Sequence, residues 1–111
     1  LDLGKMKKAA GYLLGKHDFQ SFCSRASKKK STVRTIHSID IQETEDQIYL
    51  IYEGNGFLHN MVRILTGTLV EIGSGKLQPE EIPGILEKRQ RQYAGETAPA
   101  RGLFLEKVYY D

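Results

Sequence analysis

The chain has 111 residues, of which 40% are apolar and 27% charged, a composition that suits one globular domain with a single core. No stretch approaches the ~20 apolar residues of a membrane-spanning helix, and the first residues lack the apolar run of a secretory leader, so neither is expected. The net charge of +2 is lopsided: residues 1–38 hold nine Lys/Arg against Asp2 and Asp18, whereas residues 39–111 hold seven against twelve Asp/Glu. A basic end of this kind fits either a polyanion partner, nucleic acid being the usual one, or a solvated face without a ligand.

In chain order, Leu1 stands where a methionine would open a complete protein, and a helical pattern follows at once, so a piece of something longer is expected. Residues 3–14 read as a helix capped by Asp2 and ended at Gly15, with Leu3, Met6, Ala10, Leu13 and Leu14 as its apolar stripe and Lys5 and Lys8 outward. Phe19 and Phe22 follow at helical spacing and are expected in the core. Cys23 is the sole cysteine; no internal disulfide can form, in keeping with a reducing cytosol. Residues 24–31 are small, polar and basic, without periodicity, and read as a surface loop.

Residues 32–43 alternate as a strand, with Val33, His37, Ile39 and Ile41 on one face and Arg34, Ser38, Asp40 and Gln42 on the other, where Ile36 interrupts the polar pattern. A turn at 43–46 leads to a second strand at 47–53, and so short a connection predicts an antiparallel hairpin. Beyond Gly54-Asn55-Gly56 comes a helix over 57–72, closed by Gly73-Ser74-Gly75. Phe57, Met61, Ile64, Leu65, Thr68 and Ile72 form its core side; His59, Asn60, Arg63 and Gly67 lie towards the other. Pro79-Glu80-Glu81 opens a short helix weakened by Pro83 and Gly84, with Ile82, Ile85 and Leu86 as its apolar side. Residues 93–102 read as loop and 103–110 as a final strand. The order predicts an α+β fold, a largely antiparallel sheet packed against helices.

Familiar catalytic arrangements are missing. No Ser-His-Asp pattern, phosphate-binding glycine loop or apolar-set carboxylate pair can be placed. His17, His37 and His59 fall on separate elements, so no metal site is expected. Arg63 is permanently charged and forks towards carboxylate or phosphate; it fits a partner in a catalytic or RNA site, or a solvated surface position, the commoner case for an isolated helical arginine. The chain offers it no evident carboxylate.

The run Gly54-Asn55-Gly56-Phe57-Leu58-His59-Asn60-Met61-Val62-Arg63, continued through Ile64 to Gly73, resembles the late motif of bacterial tRNA pseudouridine synthases that modify the anticodon arm. Three further segments agree in order and spacing: 17–23 (His17 to Cys23), 31–36 (Ser31 to Ile36) and 97–105 (Thr97 to Leu105). The resemblance implies a single domain, 1–111, forming the C-terminal half of the two-part synthase fold. The family breaks the glycosidic bond of uridine, turns the uracil and rejoins it through carbon, without cofactor or metal. Its essential aspartate belongs to an Arg-x-Asp-x-Gly motif in the first half, which this chain lacks; Asp18, Asp40 and Asp46 stand in the wrong contexts.

What the resemblance carries over is a supporting set. Arg63 matches the arginine paired with the catalytic aspartate. Leu103 matches an apolar wall of the uracil pocket, with Phe57 beneath it and His59 and Asn60 on the substrate side. Arg25, Lys28, Lys29, Lys30 and Arg34 are expected to contact tRNA phosphates. The expectation is therefore a cytoplasmic, homodimeric tRNA pseudouridine synthase of which this piece is inactive alone. The alternatives are a non-catalytic RNA-binding module and a dimerisation module.

Overall fold

The computed structural model describes residues 1–24 and 31–98, together with the backbone of 104–105. Helix α1 (Leu3–Leu13) begins where the Asp2 carboxylate accepts the Lys5 N–H at 3.1 Å, and it buries Met6, Ala9, Ala10 and Leu13. Leu14 is not part of that stripe. The helix ends one residue earlier, Leu14 turns extended and is 42% exposed, and Gly15 follows at φ +94°. Lys8 is outward as expected but meets Glu80 at 2.5 Å, in the turn Pro79–Glu81. Each partner favours the other's charged form: hydrogen bonding to Glu80 raises the Lys8 pKa, and hydrogen bonding to Lys8 lowers that of Glu80.

Strand β1 (Gly15–Asp18) is too short for alternation to reveal it, and it pairs antiparallel with β2 (Val33–Glu43). Between them a 3-10 turn, Gln20–Phe22, buries Phe22 beside Phe19, their ring centroids 6.2 Å apart. Strand β3 (Ile48–Gly54) completes the expected antiparallel hairpin, with Glu43 opposite Ile48. The face assignment of β2 needs correction. The register slips between Ile36 and Ser38, a bulge that reverses the inward phase at His37. Ile36 is therefore buried (1% exposed) on the same side as Ile41, whereas Val33 (36%) and His37 face outward. The interruption at Ile36 was the trace of that extra residue.

The helix expected over 57–72 is α2 (Met61–Gly73). Its start is delayed because Asn60 takes a left-handed conformation (φ 57°), leaving 57–60 as a turn. Met61, Val62, Ile64, Leu65, Thr66, Gly67, Thr68, Leu69 and Ile72 are all buried, so α2 is covered nearly all round. Gly67 is therefore not on an open side. The Asp2 N–H donates to the Gly73 carbonyl at 2.8 Å, tying α1 to the end of α2. Towards the sheet, the fully buried Tyr52 hydroxyl donates to Thr66 Oγ1 at 2.8 Å while Thr66 donates onward to Val62 O. Burial holds the Tyr52 phenol well above the ordinary tyrosine range.

After the 3-10 turn Pro79–Glu81 comes α3 (Ile82–Lys88), burying Ile82, Ile85 and Leu86. Pro83 sits in its first turn, where a missing N–H leaves no bond unmade. Strand β4 (Phe104–Leu105) lies parallel to β3, completing a sheet ordered β1-β2-β3-β4. The rest of the expected 103–110 strand lies outside the described residues. The architecture is α+β, three strands antiparallel and helices packed on the sheet. Among the described residues no helix is long and apolar enough to cross a membrane.

Tyr52→Phe removes the donor to Thr66 and is expected to lower the unfolding free energy by about 1 kcal/mol. Urea denaturation of the full-length protein measures it; an unchanged midpoint would remove this bond from the core's stabilising set.

Candidate functional site

The turn that delivers α2 is built on the hairpin. Thr35 N–H donates to the Asn55 side-chain carbonyl at 2.9 Å, and Asn55 N–H donates to Thr35 O at 3.0 Å, so Asn55 extends the β2–β3 ladder past the end of β3. Gly54 is required here, because a Cβ would lie 2.6 Å from Thr35 O. Phe57 then folds back, half-buried, edge-on to Tyr52 at 6.5 Å between ring centroids. It is a core-contacting residue at the border of the site.

Arg63 lies in the first turn of α2, half-buried. Its Nε donates to Ala98 O at 2.9 Å, while its own carbonyl accepts the Ala98 N–H at 3.0 Å. One residue of the 95–98 segment thus grips the arginine at backbone and side chain together. That segment runs along α2 as a strap. Gly95 N–H donates to Thr68 Oγ1 at 2.9 Å, Glu96 N–H to Glu71 Oε2 at 2.6 Å, and Arg91 Nη2 to Thr97 Oγ1 at 3.0 Å. Gly67 leaves room for it: a Cβ there would stand 1.7 Å from Glu96 O. Among the described residues the ion pairs are Lys8–Glu80 and Arg89–Asp18, and neither involves Arg63. A guanidinium has five N–H donors; one is committed to Ala98, and among the described residues neither Nη group meets an acceptor.

His59 and Asn60 converge on Ser24, the last described residue before the basic run. Ser24 Oγ lies 2.5 Å from His59 Nδ1, Asn60 Nδ2 donates to Ser24 Oγ at 3.3 Å, and Ser24 N–H donates to His59 O at 3.3 Å. On the far side of that run, Thr32 Oγ1 donates to Asp18 Oδ1 at 2.5 Å, and Arg34 Nη1 donates to Ser31 O at 2.7 Å and Val33 O at 2.8 Å. Arg34 is thus partly spent on its own neighbourhood. Arg25, Lys28, Lys29, Lys30 and Leu103 lie outside the described residues. Among the described residues no group of three His, Cys, Asp or Glu gathers to hold a metal. A cavity of about 670 Å³, lined by Leu1, Met6, Ile48, Leu50 and Val70 with Glu43, Glu45 and Asp46, contains none of the site residues.

Ser24, Glu71 and Ala98 are site-supporting residues that the sequence did not single out, and Thr68 was expected only in the core, where it is indeed buried. Ser24 and Ala98 act through backbone groups and short side chains whose contacts no residue spacing reveals.

Arg63 is thus a half-buried arginine at the start of α2, held through Nε by Ala98. Residues 9–111 match the model of the tRNA pseudouridine synthase family, and the chain belongs to that family. It is 50% identical to tRNA pseudouridine synthase A 1 of Bacillus cereus and 47% identical to tRNA pseudouridine synthase A of Bacillus subtilis, each over all 111 residues. It is 49% identical over 110 residues to tRNA pseudouridine synthase A of Acetivibrio thermocellus. In each comparison the chain spans 45% of the relative's length.

Gly67→Ala forces the strap off α2 and is expected to cost about 2 kcal/mol or more, together with loss of the Arg63–Ala98 contacts. Thermal unfolding of the full-length variant measures the cost; unchanged stability would contradict the close approach.

Proposed function

We propose that this chain is the C-terminal half of a tRNA pseudouridine synthase whose full-length form isomerises uridine to pseudouridine in the tRNA anticodon stem-loop. The supporting observation is Arg63: anchored through Nε to Ala98, half-buried, and without a carboxylate among the described residues. In this reading the aspartate comes from the N-terminal half, and the Nη groups of Arg63 receive it. An adjacent guanidinium lowers a carboxylate's pKa, keeping the nucleophile anionic at neutral pH. The bond from uracil N1 to C1′ breaks, the base turns, C5 bonds to C1′ and gives up its proton, and N1 takes up a proton in its place. Atoms balance within the nucleoside, so the reaction needs no redox partner.

Phe57 and Leu103 wall the uracil pocket in this proposal, and His59 and Asn60 stand on its substrate side. Arg25, Lys28, Lys29, Lys30 and Arg34 meet phosphates, positioning the RNA without reading its sequence. The target base leaves its stack to enter. We place the full-length enzyme in the cytoplasm as a homodimer, in line with a chain whose single cysteine permits no internal disulfide.

In the full-length protein, Arg63→Ala is expected to lower turnover roughly 100-fold, the scale for removing one member of a desolvated ion pair. Arg63→Lys should fare little better, because one ammonium cannot serve both Ala98 and a carboxylate in the same fork. Pseudouridine formation and tRNA binding, measured side by side, test this. Near-normal turnover in Arg63→Ala would refute the assignment. The 111-residue piece by itself should form no pseudouridine in tRNA, and formation by it would contradict the division of labour.

A further inference from the structure

We propose that Glu71 is a positioning residue for Arg63, acting through the 95–98 strap, and that the strap confines Arg63 to pairing end-on through its two Nη nitrogens. The inference rests on the reading of Arg63 as the partner of a catalytic carboxylate.

A guanidinium offers a carboxylate two parallel-bond edges, one made of Nε and an Nη, the other of both Nη. The Nε–H of Arg63 is already committed to Ala98 O at 2.9 Å. Only the Nη edge can then form a bidentate pair. Which edge is presented depends on where the Ala98 carbonyl stands, and that is decided further along α2. Positions 63, 67 and 71 share one side of the helix, drifting slowly around it. Arg63 holds Ala98, the bare Gly67 admits Glu96, and the Glu71 carboxylate accepts the Glu96 N–H at 2.6 Å. Thr68, fully buried, accepts the Gly95 N–H and donates to Ile64 O. Without the Glu71 acceptor the strap keeps one anchor at its far end in place of two adjacent ones.

Positions 63 and 71 are eight residues apart, about 12 Å along the helix axis, and the hydrogen bond to the strap is the contact that links them. A neutral acceptor of similar shape should then serve almost as well, which distinguishes positioning from electrostatics.

The test compares Glu71→Ala and Glu71→Gln in the full-length protein, with Arg63→Ala beside them. Glu71→Ala is expected to lower kcat about ten-fold, the scale of one lost charge-assisted hydrogen bond, with KM for tRNA unchanged within about two-fold. Glu71→Gln should restore most of kcat. The Arg63 Nε–H resonance, protected from exchange in the wild type and in Glu71→Gln, should lose protection in Glu71→Ala. Should Glu71→Ala fold poorly, Thr68→Val removes the adjacent acceptor at nearly constant volume and should give the same kcat-only loss. Wild-type kcat in Glu71→Ala alongside an inactive Arg63→Ala overturns this inference and leaves the role of Arg63 standing. A loss confined to KM, or one that Glu71→Gln does not rescue, also overturns it. Full activity in Arg63→Ala removes the underlying reading instead.

Discussion

The two-point grip between Arg63 and Ala98 is the constraint on which the site depends. An arginine side chain has about 2 kcal/mol of rotamer entropy to lose when it is ordered. Here part of that loss is met within the fold: the backbone of Arg63 accepts from Ala98 while its Nε donates back to the same residue. The guanidinium plane is thereby set before any partner arrives. Pre-set donors stabilise charge in an active site without reorganising during the reaction, and an anionic nucleophile is the charge proposed to stand here.

Much of the surrounding fold serves that grip. Helix α2 is covered by the sheet through the Tyr52–Thr66 bond, by α1 at Gly73, and by the strap at Gly67. A helix so enclosed has little freedom to shift or rotate, since packed interiors do not deform continuously. The turn before it is equally determined. Asn55 prolongs the hairpin ladder, Asn60 takes the left-handed conformation that starts α2 late, and its side chain reaches Ser24. The segments flanking the basic run are thus tied to the unit that carries Arg63. In the proposed enzyme this ties the phosphate-contacting loop to the catalytic pocket.

The hairpin, the three helices and the α+β class were legible from sequence because each rests on local periodicity, caps or turn residues. Arg63 stood out because a permanent charge on an apolar helix must meet water or an anionic partner, and the motif resemblance pointed to the partner. The bulge at His37 was visible only as an anomaly at Ile36, since an extra residue inverts the phase without changing composition. Strand β1 was too short to show a period. The delayed start of α2 escaped because Phe57 and Met61 keep helical spacing across a turn that is not helical. The strap was the least legible feature: it meets α2 through its own backbone N–H and C=O groups, which every residue carries, and Gly67, expected on the helix's other side, gave no sign of the close approach.

Membership of the family is independent of these details, but the role of Arg63 is not, and the distance from its Nη atoms to the nearest carboxylate in a crystal structure of the full-length protein tests it most directly. The account predicts an aspartate from the other half within about 3 Å of both Nη atoms, with Nε still donating to Ala98. A guanidinium whose Nη groups face solvent in that structure, or whose Nε has left Ala98 to bind the aspartate side-on, would contradict it.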